Sequence, residues 1–313
     1  MSSKKLIIIT VVILMSFTML SYASDYPNKP ITAIVPWGAG GGTDLNARAI
    51  AREAEKFIDV PIVVENRPGA TGTIGVTEAS KAKPDGYTIL FGSIDPMCSM
   101  PHLMDVEYSI DDFIGIMGFA YDPSSIIVKA DSPWETLEDL IAEEEVINRG
   151  HSGIGGIHHV MFEMFFPAAG IENFRDVTFD GGAASLTALR GGHIDVNGNT
   201  LGVAIPSIEA GEVRVLATAA PERVDLFPDI PTFKEKGFDI EVEATFFLVA
   251  PKGTPDEAIE LLEEIFTKAA HSEGYQEFAK NRKQQVYIRD SEEIYEKVKG
   301  DYEKFGEIIE RFQ

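Results

Sequence analysis

The sequence predicts an α/β protein made of two α/β lobes with a ligand cleft between them. Short apolar runs typical of buried strands alternate with segments of helical periodicity, and the alternation begins again after Asp122-Pro123. Strands that alternate with helices form parallel sheets covered by helices on both faces. Because ligands usually bind between such units, the cleft between the lobes is the predicted binding site.

The first lobe is predicted to hold a β-α-β-α-β unit. Its strands are predicted at residues 31–35, 61–65 and 87–91. A glycine-rich loop follows the first strand, and Asp44 is the predicted N-cap of a helix that runs to about Phe57. A second helix is predicted through Val76, Ala79 and Ala82.

The second lobe repeats this alternation. Helices are predicted from Trp134 to Val146, from His158 to Phe166 and through Leu189. The predicted strands of this lobe are residues 126–128, 178–179, 194–196 and 213–217, and a further strand is predicted after them at residues 246–250. From Pro255 to Gln313 the pattern predicts amphipathic helices.

These patterns predict a discontinuous first lobe. Lobe 1 comprises residues 24–124 and 247–313, and lobe 2 comprises residues 125–246. The strands that cross between the lobes, near residues 121–128 and 246–250, are predicted to act as a hinge.

The first 23 residues have the pattern of a secretory signal peptide. Lys4 and Lys5 precede an apolar core from Leu6 to Leu20, and Ser21-Tyr22-Ala23 resembles a cleavage site. The alternative is an uncleaved membrane anchor, but a span needs roughly 20 apolar residues and this core is shorter. We predict cleavage after Ala23 and a periplasmic mature protein.

Charge and cysteine content exclude several classes of function. The formal net charge is −23, and it becomes −25 without the signal segment, which carries two lysines and no acid. A surface with this charge does not favour nucleic-acid binding. Cys98 is the only cysteine, so the chain forms no internal disulfide and has no cysteine cluster for a metal.

Three small-residue turns precede predicted helices. They are residues 36–44, 151–156 and 178–185. Glycine lets the backbone approach a ligand closely, and a helix N-terminus offers N–H groups and a positive dipole end to an anion. Helix N-termini converging from the two lobes would hold both ends of an anion without an arginine.

The residues give less support to a nucleotide, metal or hydrolase site than to an anion site. Gly38-x-Gly40-x-x-Thr43 lacks the third glycine of a dinucleotide fingerprint, and no P-loop motif occurs. His158 and His159, with Glu163, are an incomplete metal set, so we predict no metal and no cofactor. Ser152 lacks the closing glycine of a nucleophile elbow, so we predict no enzyme activity.

An ordered series of motifs resembles the substrate-binding proteins of tripartite tricarboxylate transporters, the TctC or Bug family. The matching segments are residues 26–31, 35–44, 64–70, 84–88, 191–195, 226–232 and 250–255. The resemblance covers essentially the whole mature chain. It implies a type II-like periplasmic binding protein that closes on a small carboxylate, in the manner of a Venus flytrap, and delivers it to two integral-membrane transporter subunits.

The resemblance also implies a set of ligand-binding residues. Backbone amides and ordered waters of two loops hold the carboxylate in this family, and five further positions here lie at strand ends or turns. The predicted ligand-binding residues are Trp37, Gly38, Ala39, Gly40, Gly41, Thr43, Asp44, Ser93, Ser152, Gly153, Gly181, Gly182, Ala183, Ala184, Asn197 and Thr200.

One position departs from the family pattern. Family members often carry a basic residue just before the second glycine turn, where this chain has Asp180. With Asp44, this acid makes a highly charged tricarboxylate harder to accommodate. If Asp44 faces the site, a ligand with an amine would suit it; the alternative is that Asp44 only caps its helix.

The function predicted from the sequence is therefore capture of a small carboxylate, such as a di- or tricarboxylate, by a monomer that feeds a membrane transporter. The alternative is a periplasmic ligand-sensing subunit that signals to a receptor.

Overall fold

Ten strands form one sheet in the described part of the chain. The computed structural model describes residues 26–40, 42–179, 181–282 and 284–311. The predicted signal peptide, Gly41 and Asp180 lie outside the described residues. In chain order the strands are β1 (Ile31–Val35), β2 (Ile62–Asn66), β3 (Thr88–Gly92), β4 (Phe113–Lys129), β5 (Ile147–His151), β6 (Phe174–Thr178), β7 (Val196–Thr200), β8 (Val213–Thr218), β9 (Glu243–Pro251) and β10 (Gln285–Arg289).

Helices cover this sheet, as the strand-helix alternation predicts. They are α1 (Gly42–Ala54), α2 (Thr73–Ser80), α3 (Met100–Leu103), α4 (Leu137–Ile141), α5 (Ile157–Ala168), α6 (Gly182–Arg190), α7 (Leu201–Glu209), α8 (Asp256–His271), α9 (Glu273–Asn281) and α10 (Ser291–Ile309). A π-helical turn, Asp95–Ser99, precedes α3. Among the described residues, no helix is both long and apolar enough to span a bilayer.

β4 connects two halves of the sheet. Its residues 113–123 pair with β9, and its residues 124–128 pair with β7. The first half consists of β1, β2, β3, β9, β10 and residues 113–123 of β4. The second half consists of β5 to β8 and residues 124–129 of β4. The predicted α/β class is confirmed; the predicted lobe boundaries, which lie close to this change of partner, stay a prediction.

The carboxyl ends of the parallel strands in the two halves face each other across β4. β1, β2 and β3 are parallel, β3 is antiparallel to β9, and β9 is antiparallel to β4, so the three strands run toward the second half. β7 is antiparallel to β4 and parallel to β5, which is parallel to β6, so these strands run toward the first half. The loops after both sets of strands therefore meet between the halves.

The register gives the scale of this gap. Gly92 at the end of β3 pairs with Phe247, which pairs with Gly118 of β4. Thr200 at the end of β7 pairs with Ser124, six residues further along β4. At about 3.3 Å per residue, the two strand edges lie about 20 Å apart along the sheet. The loops that follow the strands occupy this space.

One hydrophobic cluster spans both halves and involves the C-terminal helix. Leu90 of β3, Phe165 of α5 and Phe305 of α10 belong to it, and each is at most 2% exposed. Burial of a phenylalanine side chain contributes about 2 kcal/mol. Two further clusters lie within one half each. The halves are therefore held together by apolar contacts as well as by β4 and β9.

The helix predicted from Trp134 to Val146 is much shorter in the structure. α4 begins after a capping box of Thr136 and Asp139 and ends at Ile141. The carboxylate of Glu143 then accepts hydrogen bonds from the amides of Glu144 and Glu145. Such local side-chain bonds compete with the helical hydrogen bonds, which is why the acidic run forms a turn.

Other element predictions need smaller corrections. The strand predicted at 194–196 is β7 at Val196–Thr200, and α7 follows it without having been predicted. β10 interrupts the predicted C-terminal helices because alternating Val286 and Ile288 pack against the first-half cluster. β9 begins at Glu243, which pairs with Pro123, so the second crossing lies before the predicted segment 246–250.

Candidate functional site

The loop from β1 into α1 lies at the inner edge of the first half. Gly38, Ala39 and Gly40 are exposed, and Trp37 is partly buried against the first-half core. Helix α1 begins at Gly42. The first N–H groups of a helix lack intrahelical acceptors, so this loop presents a site suited to an anion.

Asp44 supports this loop from within α1. Its side chain is 2% exposed and accepts hydrogen bonds from Gly40 N (2.8 Å), Arg48 Nε (2.9 Å) and Asn66 Nδ2 (2.8 Å). Asn66 Nδ2 also donates to the Trp37 carbonyl at 2.9 Å. Burial raises the pKa of Asp44, but the bonds from Arg48, Gly40 and Asn66 outweigh it and lower the pKa.

The prediction that Asp44 is the helix N-cap is wrong. α1 begins two residues earlier, at Gly42, so Asp44 lies in the first turn and its carboxylate reaches back to Gly40 N. A carboxylate in the first turn is favoured by the helix dipole. Both oxygens already accept hydrogen bonds from the protein, so Asp44 is not oriented toward a ligand amine in this structure.

The loop from β6 into α6 lies at the inner edge of the second half. Gly181 has a φ of +97°, a left-handed conformation that favours glycine, and α6 begins at Gly182. Gly181 and Gly182 are partly buried, whereas Ala183 and Ala184 are exposed. This second helix N-terminus is therefore accessible, with methyl groups as its largest side chains.

Two asparagines of β7 support this turn through hydrogen bonds. Asn199 Nδ2 donates to Gly182 O at 2.7 Å, and a Cβ at Gly182 would collide with the Asn199 side chain. Asn197 is fully buried, and its Nδ2 donates to Gly150 O (3.0 Å) and Ser185 Oγ (2.9 Å). In this structure the Asn197 side chain supports the turn instead of facing the cleft.

The turn before α5 differs, because its amides already have acceptors within the protein. Ile157 N donates to Asp95 Oδ1 at 2.9 Å and Gly155 N to His159 Nδ1 at 3.1 Å. Gly153 N lies 3.3 Å from His151 Nδ1. Gly155, Gly156 and Ile157 are buried. The prediction that this turn offers a third open helix N-terminus is therefore wrong, although Ser152 and Gly153 remain partly accessible.

Asp95 connects the two halves. It follows the partly buried Ser93 at the end of β3, and its bond to Ile157 N places a first-half carboxylate at the N-terminus of α5. Burial raises the pKa of Asp95 to about 6, and the hydrogen bond from Ile157 opposes this shift. The sequence analysis did not select this residue.

Asp122 makes a second contact of this kind, where β4 crosses between the halves. Its carboxylate accepts from Gly202 N, in the first turn of α7, at 2.9 Å. Burial raises the pKa of Asp122 to about 6, and hydrogen bonds from Gly202 and Thr200 oppose this shift. The predicted ligand residue Thr200, which ends β7, thus lies beside a carboxyl at the crossing.

A buried arginine organises the polar interior next to the α5 turn. Arg149 of β5 is fully buried, contacts Glu163, and donates from Nε to Asp176 Oδ1 at 2.7 Å. Its guanidinium lies 3.7 Å from the ring centroid of Phe174. His151 Nε2 lies 3.1 Å from the same Asp176 oxygen.

His151, His159 and Asp176 place possible metal-ligand atoms within 4.8 Å of one another. Their hydrogen bonds do not fit a metal centre. Because His159 Nδ1 accepts from Gly155 N, the neutral ring carries its proton on Nε2, which then has no lone pair for a metal. The Arg149 guanidinium already neutralises Asp176. His158, the other histidine considered for a metal, contacts Ser124 Oγ through Nδ1 at 3.2 Å.

A surface cavity of about 470 Å³ lies elsewhere, and none of the predicted ligand residues lines it. Its two basic lining residues are already paired: Arg223 Nε lies 2.9 Å from Glu235, and Lys236 Nζ lies 2.8 Å from Glu138. The facing strand edges are the better candidate for the ligand site, because the helix N-termini at these edges carry the features that recognise an anion.

Sequence reasoning missed the residues that support the loops from a distance. Asp95, Asn66 and Asn199 each bind a loop backbone or side chain, and Asn66 and Asn199 end or nearly end a strand. The signal for Asn199 was present, since Asn197 and Asn199 both lie in a strand that is buried throughout. Buried amides require hydrogen-bond partners, which lie in the adjacent loop.

Comparisons with known proteins show the family of this chain. Residues 46–313 match the model of the tripartite tricarboxylate transporter family receptor, TctC. The solved structure of a TctC solute-binding protein from Polaromonas has a TM-score of 0.82 and 29% identity, and the match covers 91% of this chain and 99% of that chain.

Two similar structures contain ligands. MatC from Rhodopseudomonas palustris with bound malate has a TM-score of 0.76 and 25% identity, and the match covers 91% of this chain and 100% of MatC. A second R. palustris protein, with adipate, has a TM-score of 0.80 and 26% identity over 91% of this chain and 98% of that protein. The predicted family and periplasmic binding protein fold are confirmed. This chain therefore belongs to the tripartite tricarboxylate transporter receptor family, which consists of solute-binding receptors and not of enzymes.

Proposed function

We propose that this receptor binds a small dicarboxylate in the cleft between the two halves of the sheet. The N-terminus of α1 would bind one carboxylate and the N-terminus of α6 the other. The observation that carries this proposal is the pair of accessible helix N-termini at strand edges that face each other. Each helix N-terminus contributes about half a positive charge together with N–H donors.

The chemistry of the similar structures supports this ligand class. Malate and adipate differ in chain length and in the malate hydroxyl group, but both carry two carboxylates. Two helix N-termini match two carboxylates, whereas a third carboxylate would need another donor site. The turn before α5 does not provide one, because its amides donate to Asp95 and His159. A dicarboxylate thus fits better than a tricarboxylate.

The setting of this function follows from the family and from the N-terminal sequence. The protein would be exported by the signal segment, cleaved after Ala23, and act in the periplasm. It would then deliver its ligand to two integral-membrane subunits of a tripartite transporter. The ligand contacts would come from the predicted residues of the α1 and α6 loops, with Ser93, Ser152 and Thr200 at the cleft wall.

Calorimetric titration of residues 24–313 tests this proposal. The probes are malate, succinate, adipate, citrate, aspartate and glucose. We expect binding of at least one dicarboxylate, weaker binding of citrate, and none of glucose. A ligand present at a hundredfold excess over its dissociation constant also stabilises the native state by about 2.7 kcal/mol, so thermal unfolding gives an independent measurement.

Binding of glucose would contradict the proposal. Binding only of aspartate, the one dicarboxylate in the series that carries an amine, would also contradict it, because two helix N-termini provide no partner for an amine. Tighter binding of citrate than of every dicarboxylate would contradict the two-carboxylate model while leaving an anion receptor.

A further inference from the structure

We propose that His159, assisted by His151, is a positioning residue that fixes the turn of residues 152–156 and so presents Ser152 to the cleft. This inference rests on the proposed function, because it assigns a role within the same cleft. It adds a determinant that lies behind the ligand-contacting surface and that the family description does not name.

The turn of residues 152–156 has a backbone conformation that its own residues do not stabilise. Gly153 and Gly155 have φ values of +134° and +75°, which favour glycine, and glycine leaves the unfolded turn many alternatives. A Cβ at Gly155 would collide with Leu103 of α3, so the turn closely approaches the first half. Fixing this shape requires contacts from outside the turn.

The two histidines provide these contacts from both sides. His151, the last residue of β5, places Nδ1 2.9 Å from Gly153 O and 3.3 Å from Gly153 N. His159, on the first turn of α5, accepts from Gly155 N at 3.1 Å. The two rings lie 4.7 Å apart between centroids with their planes tilted by 33°, so they pack against each other behind the turn.

The surroundings keep His159 neutral, as an acceptor must be. Arg149 and His151 face it from β5, Asp176 from β6 and Glu163 from its own helix, with Glu163 Oε1 3.6 Å from Nε2. Burial lowers the pKa of His159 to about 4, His151 and Arg149 lower it as well, and Asp176 opposes them. The bond to Gly155 N is thus retained from neutral pH down to about pH 5.

Two substitutions separate positioning from general packing. His159→Leu keeps an apolar side chain but removes the acceptor. His159→Asn restores it, because the asparagine amide oxygen lies near the position of Nδ1. His158→Leu is the matched control, since this adjacent buried histidine bonds Ser124 and not the turn.

Hydrogen exchange of the Gly155 amide and the dissociation constants for malate and adipate are measured in all four proteins. We expect His159→Leu to raise both the exchange rate and the dissociation constant of the bound dicarboxylate about tenfold, the effect of one lost hydrogen bond. His159→Asn should restore both to within about threefold of wild type. His158→Leu should lower the melting temperature without changing Gly155 exchange.

Three results would overturn the inference. The first is unchanged Gly155 exchange in His159→Leu, and the second is failure of His159→Asn to restore it. The third is faster exchange with an unchanged dissociation constant, which would mean that the turn does not contribute to the ligand site. If the wild-type protein binds neither dicarboxylate, the proposed function fails and so does the ligand part of this inference. The exchange measurement then still shows whether His159 fixes the turn.

Discussion

The turns before α5 and α6 lie at the same edge of the second half, and both are rich in small residues, yet their surroundings differ. At α6, Ala183 and Ala184 are exposed and the helix N-terminus is accessible. At α5, Gly155 and Ile157 are buried, and their amides donate to His159 and Asp95. The turn before α6 is suited to an external anion, whereas the turn before α5 already has internal acceptors for its amides.

This comparison shows that a glycine-rich turn before a helix does not by itself specify an anion site. The deciding residue for α5 is Asp95, which is 62 positions away in sequence. The α1 loop is intermediate: Gly40 N donates to Asp44, but Gly38 to Gly40 remain exposed. What separates the three turns is whether a side chain from another element supplies the acceptor.

The largest predicted effect comes from adding a carboxylate to the open turn. We expect Ala184→Glu to weaken dicarboxylate binding by about a hundredfold. Two like charges about 5 Å apart at an effective dielectric constant of about 20 repel by about 3 kcal/mol. Isothermal titration with malate or adipate measures the change, and thermal unfolding should show a stability close to that of wild type because Ala184 is exposed.

Val146→Glu is the matched control for this charge. Val146 is 48% exposed and precedes β5, at the opposite edge of the sheet. It should leave the dissociation constant within about twofold of wild type, because salt screens charges beyond about 10 Å. Equal weakening by both variants would mean that net charge, and not the α6 turn, controls binding.

Asp44→Asn tests the α1 loop, with an intermediate expected effect. The substitution removes a buried charge that accepts from Arg48 and Asn66, and we expect a loss of about 2 kcal/mol, or about 5 °C in melting temperature. The preference for dicarboxylates without an amine over aspartate should not change, because Asp44 binds protein donors. A shift of preference away from amine-bearing ligands would show instead that Asp44 contacts the ligand.

Asp95→Asn gives the smallest expected effect, and the size of this effect depends on pH. Burial raises the pKa of Asp95 to about 6 from 3.8, so between these values the folded state binds a proton that the unfolded state has lost. Stability from this group is therefore greatest at low pH and decreases as pH rises to about 6. Asparagine keeps an acceptor for Ile157 N without the charge.

We accordingly expect Asp95→Asn to raise the melting temperature by a few degrees at about pH 7.5 and to leave it unchanged at about pH 4. Differential scanning calorimetry at both pH values provides the measurement. A lower melting temperature at about pH 7.5 would mean that the Asp95 charge stabilises the contact between the halves.

The sequence predicted the alternation of elements well because local patterns determine it. The apolar runs that became β1 and β3 and the small-residue turn before α6 were all recognisable. The sequence did not reveal β10, whose alternation is brief and lies among helices, or the early start of α1 before Asp44. β10 depends on pairing with β4, which is distant in sequence.

The turns of the proposed site could be recognised in the sequence, but the side chains that support them could not. Backbone amides of the α1 and α6 turns could be inferred from glycine and alanine, since these residues leave the amides accessible. Whether the amides of a turn are already used depends on side chains that accept from them, as Asp95 and His159 do before α5, and no local pattern connects Asp95 to that turn. Asp180 and Gly41 lie outside the described residues, so their predicted contributions stay predictions.

Amide chemical shifts during titration with a dicarboxylate distinguish the open turn before α6 from the internally bonded turn before α5. In a ¹⁵N-labelled protein we expect the Gly182, Ala183 and Ala184 amide resonances to shift strongly with malate or adipate, because these N–H groups would bind a ligand carboxylate. The Gly155 and Ile157 resonances should shift little, since their N–H groups donate to His159 and Asp95 in this structure. Large shifts at Gly155 and Ile157 with unchanged α6 resonances would contradict the assignment of the open and the internally bonded turn.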